Sequence, residues 1–388
     1  MDLVGWYVVV GIAGLIATAL LTRPAAGIAK RIGYVSVPTD RSVHLRITPY
    51  GGGVAMFAGL CVAFMAGAFI PGLRSLYIIS TNEVLGVILS CSVILIVGLV
   101  DDFRNMSAPA KVAGEVLAAS VLYFTGVTMY QLKLPFAGAV VLGPSILPLI
   151  TALWVIALTN AINLIDGLDG LAAGIVAIAS GTLCIYGLRL EQLGLLPLTD
   201  PGPLIAAATC GICLGFLPSN FHPARLFMGD AGALLLGVLM SASTMAIGGR
   251  TPPASGVTYF FFAPLLIPFF ILGVPLVDMG FAFVRRTASG QGFHNADKDH
   301  VHHRLLRLGH GHRRTVAILW LWTALLSGMV LFPLFAPRIN VFIPFGVAAM
   351  GIGLYTWFHP GLRRADADEA PPVAVASTSI GDSRREMQ

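Results

Sequence analysis

Eleven apolar stretches of roughly bilayer-spanning length dominate this chain, near residues 4–22, 51–70, 84–100, 112–128, 146–165, 170–188, 203–217, 231–248, 259–284, 315–334 and 340–358. In hydrocarbon, every backbone N–H and C=O must find its partner within the protein, so each stretch is read as a helix. The composition agrees, with 56% hydrophobic and 11% charged residues among 388 and a mean hydropathy of +0.83. The expected fold is an all-α polytopic membrane protein of about eleven spans, the seventh stretch being the shortest.

Basic residues set the orientation. If the loop at 23–50 is cytoplasmic, its side of the membrane holds 19 of the 24 Lys and Arg residues, leaving Arg74, Lys133, Arg189, Arg250 and Arg338 opposite. The N-terminus is then outside and the C-terminus cytoplasmic. All nine histidines fall on the cytoplasmic side. The net charge of +5 is a topology signal, and nucleic acid has no place in this reading. The first stretch has no basic residue before it and no cleavage site after it, so it is read as a retained helix. Residues 1–362 form one integral membrane domain, and 363–388, rich in Ala, Pro, Asp, Glu and Ser, form a disordered cytoplasmic tail. A small hairpin is expected at 129–145. The five cysteines sit inside predicted helices and are assigned to packing.

Against this background the run 160–171, NAINLIDGLDGL, is anomalous, because ionisable residues at membrane depth are costly and mark functional sites. Asn160, Asn163, Asp166 and Asp169 recur every third residue, which would spread them over half a helix circumference. The run is therefore read as a break, with Asn163 closing one helix and Asp169 opening the next near Gly170. Either carboxylate alone could simply be a cap.

Asp101-Asp102 ends the stretch 84–100 at the wrong end of a helix dipole, so the pair needs a compensating cation: a divalent metal, or Lys111 and Arg104. Asp230 stands between Gly229 and Gly232, where a ligand can approach it. Together these carboxylates and amides form a hard-oxygen set suited to Mg²⁺ with substrate phosphates. The most basic loop holds His300, His302, His303 and Arg304, read either as part of a zinc site or, better, as donors to sugar hydroxyls and phosphate oxygens. His310 and His312 are read as surface residues, and Asp278 as structural. The first inner loop offers His44 and Arg46, followed by Tyr50 and a flexible run of three glycines.

With these residues in view, the chain from about Arg23 to Arg314 resembles the polyprenyl-phosphate N-acetylhexosamine-1-phosphate transferases, especially the WecA-type enzymes of actinobacteria. The resemblance implies a phosphotransferase that moves N-acetylglucosamine 1-phosphate from UDP-N-acetylglucosamine to undecaprenyl or decaprenyl phosphate and releases UMP. It implies Mg²⁺, with Mn²⁺ as a substitute, and a first lipid-linked step of cell-wall or surface polysaccharide synthesis. It assigns catalytic roles to Asp101, Asp102 and Asp166 and metal ligation to Asp230 and Asn163. Nucleotide-sugar binding falls to Asp169, Asn220, His300, His302, His303 and Arg304, and phosphate binding to Lys111, His44 and Arg46. The expected setting is the plasma membrane, with the site facing the cytoplasm and membrane lipids, both substrates and a homodimer as partners. The MraY branch, which takes UDP-muramoyl-pentapeptide, carries a different three-histidine motif. A transporter would place its polar residues near the midplane, open to both sides.

Overall fold

The computed structural model describes residues 3–38, 46–134, 138–250, 311–336 and 342–357. The chain opens with α1 (Leu3–Arg31), which continues past Pro24 well beyond the apolar stretch at 4–22. A short antiparallel pair follows, β1 (Val35–Ser36) with β2 (Thr48–Pro49), in the register Val35 to Pro49 and Ser36 to Thr48. Then come α2 (Gly52–Ala68), a single 3-10 turn, α3 (Arg74–Ile79), α4 (Thr81–Arg104) and α5 (Ala108–Phe124). The hairpin expected at 129–145 is β3 (Gln131–Leu134) paired with β4 (Gly138–Val141). Next are α6 (Leu147–Ile165), α7 (Leu171–Gln192), α8 (Gly202–Asn220) and α9 (Gly229–Arg250). The last two helices are α10 (His312–Phe335) and α11 (Phe342–Trp357).

Ten of the eleven apolar stretches coincide with a helix; the stretch 259–284, with Asp278, lies outside the described residues. Among the described residues, seven helices are long and apolar enough to cross a membrane, or eight if α2 and the segment bent by 91° after it form one span. The seventh stretch, shortest in the sequence, is a full helix of 19 residues.

The bundle is arranged around α9, every residue of whose apolar window is buried. It packs against α4, α6, α8 and α2, while α1 joins α8 and α2, and α7 joins α8 and α10. Lipid tails are as apolar as leucine, so helices in a bilayer associate through close packing at small residues. Gly98 of α4 lies against the Ala231 backbone, and a Cβ at Gly53 of α2 would come within 2.5 Å of Gly232 N. These contacts draw α4 and α2 onto the start of α9.

The two ends of the bundle differ. At one end, Arg250 Nη1 pairs with Glu83 at 3.0 Å and Asp200 at 3.5 Å while its guanidinium donates to the Gly126 carbonyl, so these charges largely satisfy each other. At the other end meet the ends of α1, α4, α6 and α8 and the beginnings of α2, α5, α7, α9 and α10. The polar motifs of the sequence that the structure describes gather there.

Candidate active site

Local sequence explains how α4 and α5 present opposite charges to each other. Helix α4 stops at Asn105, whose left-handed backbone (φ 48°) closes its last turn as its N–H donates to the Asp101 carbonyl at 2.8 Å. Pro109, in the first turn of α5, suits a helix start. The reversal brings Lys111 back against Asp101, with Nζ to Oδ2 at 2.9 Å. The other oxygen of Asp101 accepts the Met106 N–H at 2.7 Å. Lys111 also pairs with Asp230 at the start of α9. With its amide nitrogen turned toward the carboxylate, Asn163 donates to Asp230 Oδ1 at 3.2 Å and its oxygen accepts from Lys111 Nζ at 2.9 Å. Lys111 is thus the cation that Asp101 needs; Arg104 is exposed, with no ion pair among the described residues.

Asp102 is placed differently. Its Oδ1 accepts the Asp230 N–H at 2.8 Å and its Oδ2 the Ala231 N–H at 3.2 Å. Oδ2 also accepts from the Tyr34 hydroxyl at 2.5 Å. The carboxylate sits at the unfavourable end of α4 but at the favourable end of α9, where it satisfies two of the N–H groups that a helix start leaves free. Asp102, expected among the catalytic groups, accepts from three donors that set it against the start of α9. Gly229 makes this contact possible: it has φ 69°, and a Cβ there would lie 2.5 Å from Asp102 Oδ2.

Tyr34 was not foreseen, because one tyrosine in a loop carries no pattern. It is buried, stacked on Phe103 at 4.4 Å, and burial together with the Asp102 carboxylate pushes its phenol well above the usual range. The glycine run after Tyr50 is also more ordered than expected. Gly52 and Gly53 donate to the carbonyls of Phe227 and Met228 at 3.0 and 3.1 Å, seating α2 on the segment that leads to Asp230.

The break at 166–170 is present. Helix α6 ends at Ile165, Gly170 is left-handed at φ 79°, and no side chain caps α7. Asn163 therefore lies in the last turn of α6. Asp166 follows it; burial first, then the negative charge of Asp230, Asp102 and Asp169, pushes its carboxyl well above the ordinary carboxylate range. Below them, the wholly buried Glu115 accepts from Thr159 at 3.0 Å and from Asn160 at 2.9 and 3.0 Å, locking α5 to α6. Glu115 was overlooked as one acid in an apolar helix, and Asn160 belongs to this lock rather than to the carboxylate cluster.

Asp169 joins a second group. Its Oδ2 meets His222 Nδ1 at 2.7 Å and accepts the Ala224 N–H at 3.1 Å. His222 stacks on His312 with ring centroids 4.0 Å apart. His312, expected on the surface, is half-buried and ties the start of α10 to the carbonyl of Asp169 at 3.4 Å. Asn220, expected to meet a nucleotide sugar, is 2% exposed. Its amide accepts the Gly170 N–H at 2.9 Å and donates to the Leu226 carbonyl at 3.1 Å, fastening the break to the loop after α8. Arg46 is exposed, its carbonyl accepting from Thr48 at 3.2 Å, and it makes no ion pair with the carboxylates among the described residues. His44, His300, His302, His303 and Arg304 lie outside the described residues.

The arrangement can hold a cation. The oxygens of Asp101, Asp230 and Asn163, from three helix ends, converge on the ammonium of Lys111. The same hard-oxygen donor set fits Mg²⁺, whose remaining positions suit water and phosphate.

Comparison with known proteins places the chain among glycosyl transferases. The profile of glycosyl transferase family 4 matches residues 84–248. The decaprenyl-phosphate N-acetylglucosaminephosphotransferase of Mycobacterium tuberculosis (strain ATCC 25618 / H37Rv) is 38% identical over 364 residues, covering 92% of this chain and 89% of that protein. The probable undecaprenyl-phosphate N-acetylglucosaminyl 1-phosphate transferase of Bacillus subtilis (strain 168) is 37% identical over 315 residues, 81% of each chain. A phospho-N-acetylmuramoyl-pentapeptide-transferase of Desulforudis audaxviator (strain MP104C) is also 37% identical, but over 217 residues, 51% of this chain and 62% of its own.

Proposed function

The chain belongs to glycosyl transferase family 4, and from that premise we propose that it transfers N-acetylglucosamine 1-phosphate from UDP-N-acetylglucosamine to a polyprenyl phosphate, releasing UMP. The observation that carries this reading is the convergence of Asp101, Asp230 and Asn163 on one cation. The mycobacterial and Bacillus relatives, aligned over most of the chain, favour this sugar over the muramoyl-pentapeptide substrate, whose transferase aligns over a shorter region.

Asp230 and Asn163, with Asp101 beside them, would hold Mg²⁺, which when bound supplies charge neutralisation on the pyrophosphate and eases departure of UMP. An oxygen of the lipid phosphate forms the new bond to the β-phosphorus, and the bridging P–O bond breaks with its electron pair leaving on UMP. A phosphomonoester loses its second proton near pH ~6, so the nucleophile is already largely dianionic and needs no base at neutral pH. One oxygen of Asp101 is held by the Met106 N–H and the other faces the cation position, which favours direct attack by the lipid phosphate over a covalent phosphosugar on Asp101. Lys111 lies where it can meet the phosphates, and Asp169, with His222, lies on the adjoining wall expected to face the uridine.

The same reading has eleven spans, the N-terminus outside, the C-terminus in the cytoplasm and the site at the cytoplasmic face of the plasma membrane. It is supported by Lys30, Arg31, Arg104, Lys111, Arg225, Arg313 and Arg314 at the site end, against Arg74, Arg189 and Arg250 at the other. The gathering of Asp101, Asp102, Asp166, Asp169 and Asp230 at one end argues against a transporter with a midplane site.

Purified protein given UDP-N-acetylglucosamine, decaprenyl phosphate and Mg²⁺ should release UMP and form the lipid-linked sugar, and Asp230→Ala should abolish both. No product, or normal turnover in the variant, would overturn the reading. UMP exchange in the absence of lipid phosphate would overturn direct attack.

A further inference from the structure

We infer that Lys111 is a built-in competitor of the divalent cation, contending with it for the same oxygens of Asp101, Asp230 and Asn163. The inference rests on the metal site of the proposed function. An ammonium has three donors and accepts nothing. All three directions are used here, toward Asp101 Oδ2 at 2.9 Å, toward Asp230 Oδ2, and toward the amide oxygen of Asn163 at 2.9 Å.

A magnesium ion needs the same kind of oxygens at about 2.0–2.1 Å. An ammonium and a divalent ion cannot share that set without strong repulsion, since buried charges are poorly screened. When the ion enters, Lys111 must move its charge onto another anion. On its own helix the nearest is Glu115, one turn further along, but that carboxylate is wholly buried and held by Thr159 and Asn160. A phosphate oxygen of the arriving substrate offers such a partner. Lys111 therefore makes the ion and the phosphorylated substrate bind together: the ion alone must displace the ammonium, whereas the ion with a pyrophosphate gives the ammonium a new partner.

The test is Mn²⁺ binding to the detergent-solubilised full chain, followed by electron paramagnetic resonance of free Mn²⁺, with and without UDP as the pyrophosphate probe. In the wild type, UDP should tighten Mn²⁺ binding. Lys111→Met and Lys111→Gln should each tighten Mn²⁺ binding without UDP about tenfold or more, and lose most of the enhancement by UDP. Lys111→Arg, which keeps the charge, should bind Mn²⁺ as weakly as the wild type. Arg104→Gln, which removes an exposed charge on the same face, should change the affinity less than about twofold. Unchanged or weaker Mn²⁺ binding in both neutral variants, or equal tightening in Arg104→Gln, would overturn the inference while leaving the metal site intact. A wild type with no saturable Mn²⁺ binding that Asp230→Asn removes would overturn the metal reading itself.

Discussion

Asp102 of α4 accepts the backbone N–H of Asp230 at 2.8 Å, so the first turn of the central helix is capped by a carboxylate from a different helix. The candidate metal ligand therefore owes its position to its neighbour's backbone contact. Asp102→Ala should lower stability by about 1–2 kcal/mol, the usual cost of a lost cap, and reduce turnover far more than that alone explains. Thermal unfolding and UMP release on the same preparation separate the two effects. Loss of stability with normal turnover would show that Asp102 does not position Asp230.

Gly229→Ala tests the same contact from the other side. A side chain at φ 69° costs about 1–2 kcal/mol, and its Cβ would push on Asp102 Oδ2. The double variant with Asp102→Ala should lose less stability than the sum of the single changes, because both disturb one contact. Strict additivity would argue against the coupling.

Asp166 gives a pH signature. Burial and three neighbouring carboxylates raise its folded pKa, so the folded state holds this proton more tightly than the unfolded chain does. The resulting stability is present below the unfolded value of about 3.9 and is lost as pH rises through the higher folded value. In chelator, Asp166→Asn should therefore be more heat-stable than the wild type at neutral pH, and its stability should fall less as pH rises from about 4. A variant less stable at neutral pH would contradict this placement.

His222→Ala should raise the KM for UDP-N-acetylglucosamine more than that for the polyprenyl phosphate. The imidazole orients Asp169, which lies apart from the Lys111 cluster. Equal changes in both constants would remove this group from the nucleotide side.

Much of this arrangement was legible in the sequence because it followed from solvent physics. Long apolar runs had to be helices, and four polar residues at three-residue spacing could not share one helix face, which located the break at 166–170. The unfavourable dipole at Asp101-Asp102 correctly demanded compensation, yet two different partners provide it: Lys111 for one carboxylate and the start of α9 for the other. That division depends on tertiary contacts between segments more than 100 positions apart, as between Asp102 and Asp230. Tyr34, Glu115 and His222 were missed for the same reason, since each is ordinary alone and acquires a role only from the carboxylate or amide it meets. The amide of Asn220, a polar residue beside a motif, meets backbone at both ends, a contact that its position in the sequence does not show.

Helix α9 is enclosed by its neighbours along its apolar length, so the aspartate at its tip is mounted on a post that the bilayer does not touch. A membrane that thickens or thins acts on lipid-facing helices, by tilting them or deforming around them. The candidate metal ligand is shielded from that adjustment, and its depth is a property of the protein. The height at which a lipid-borne phosphate must present itself should then stay constant across membranes of different thickness, leaving the flexible prenyl chain, rather than the protein, to absorb the difference.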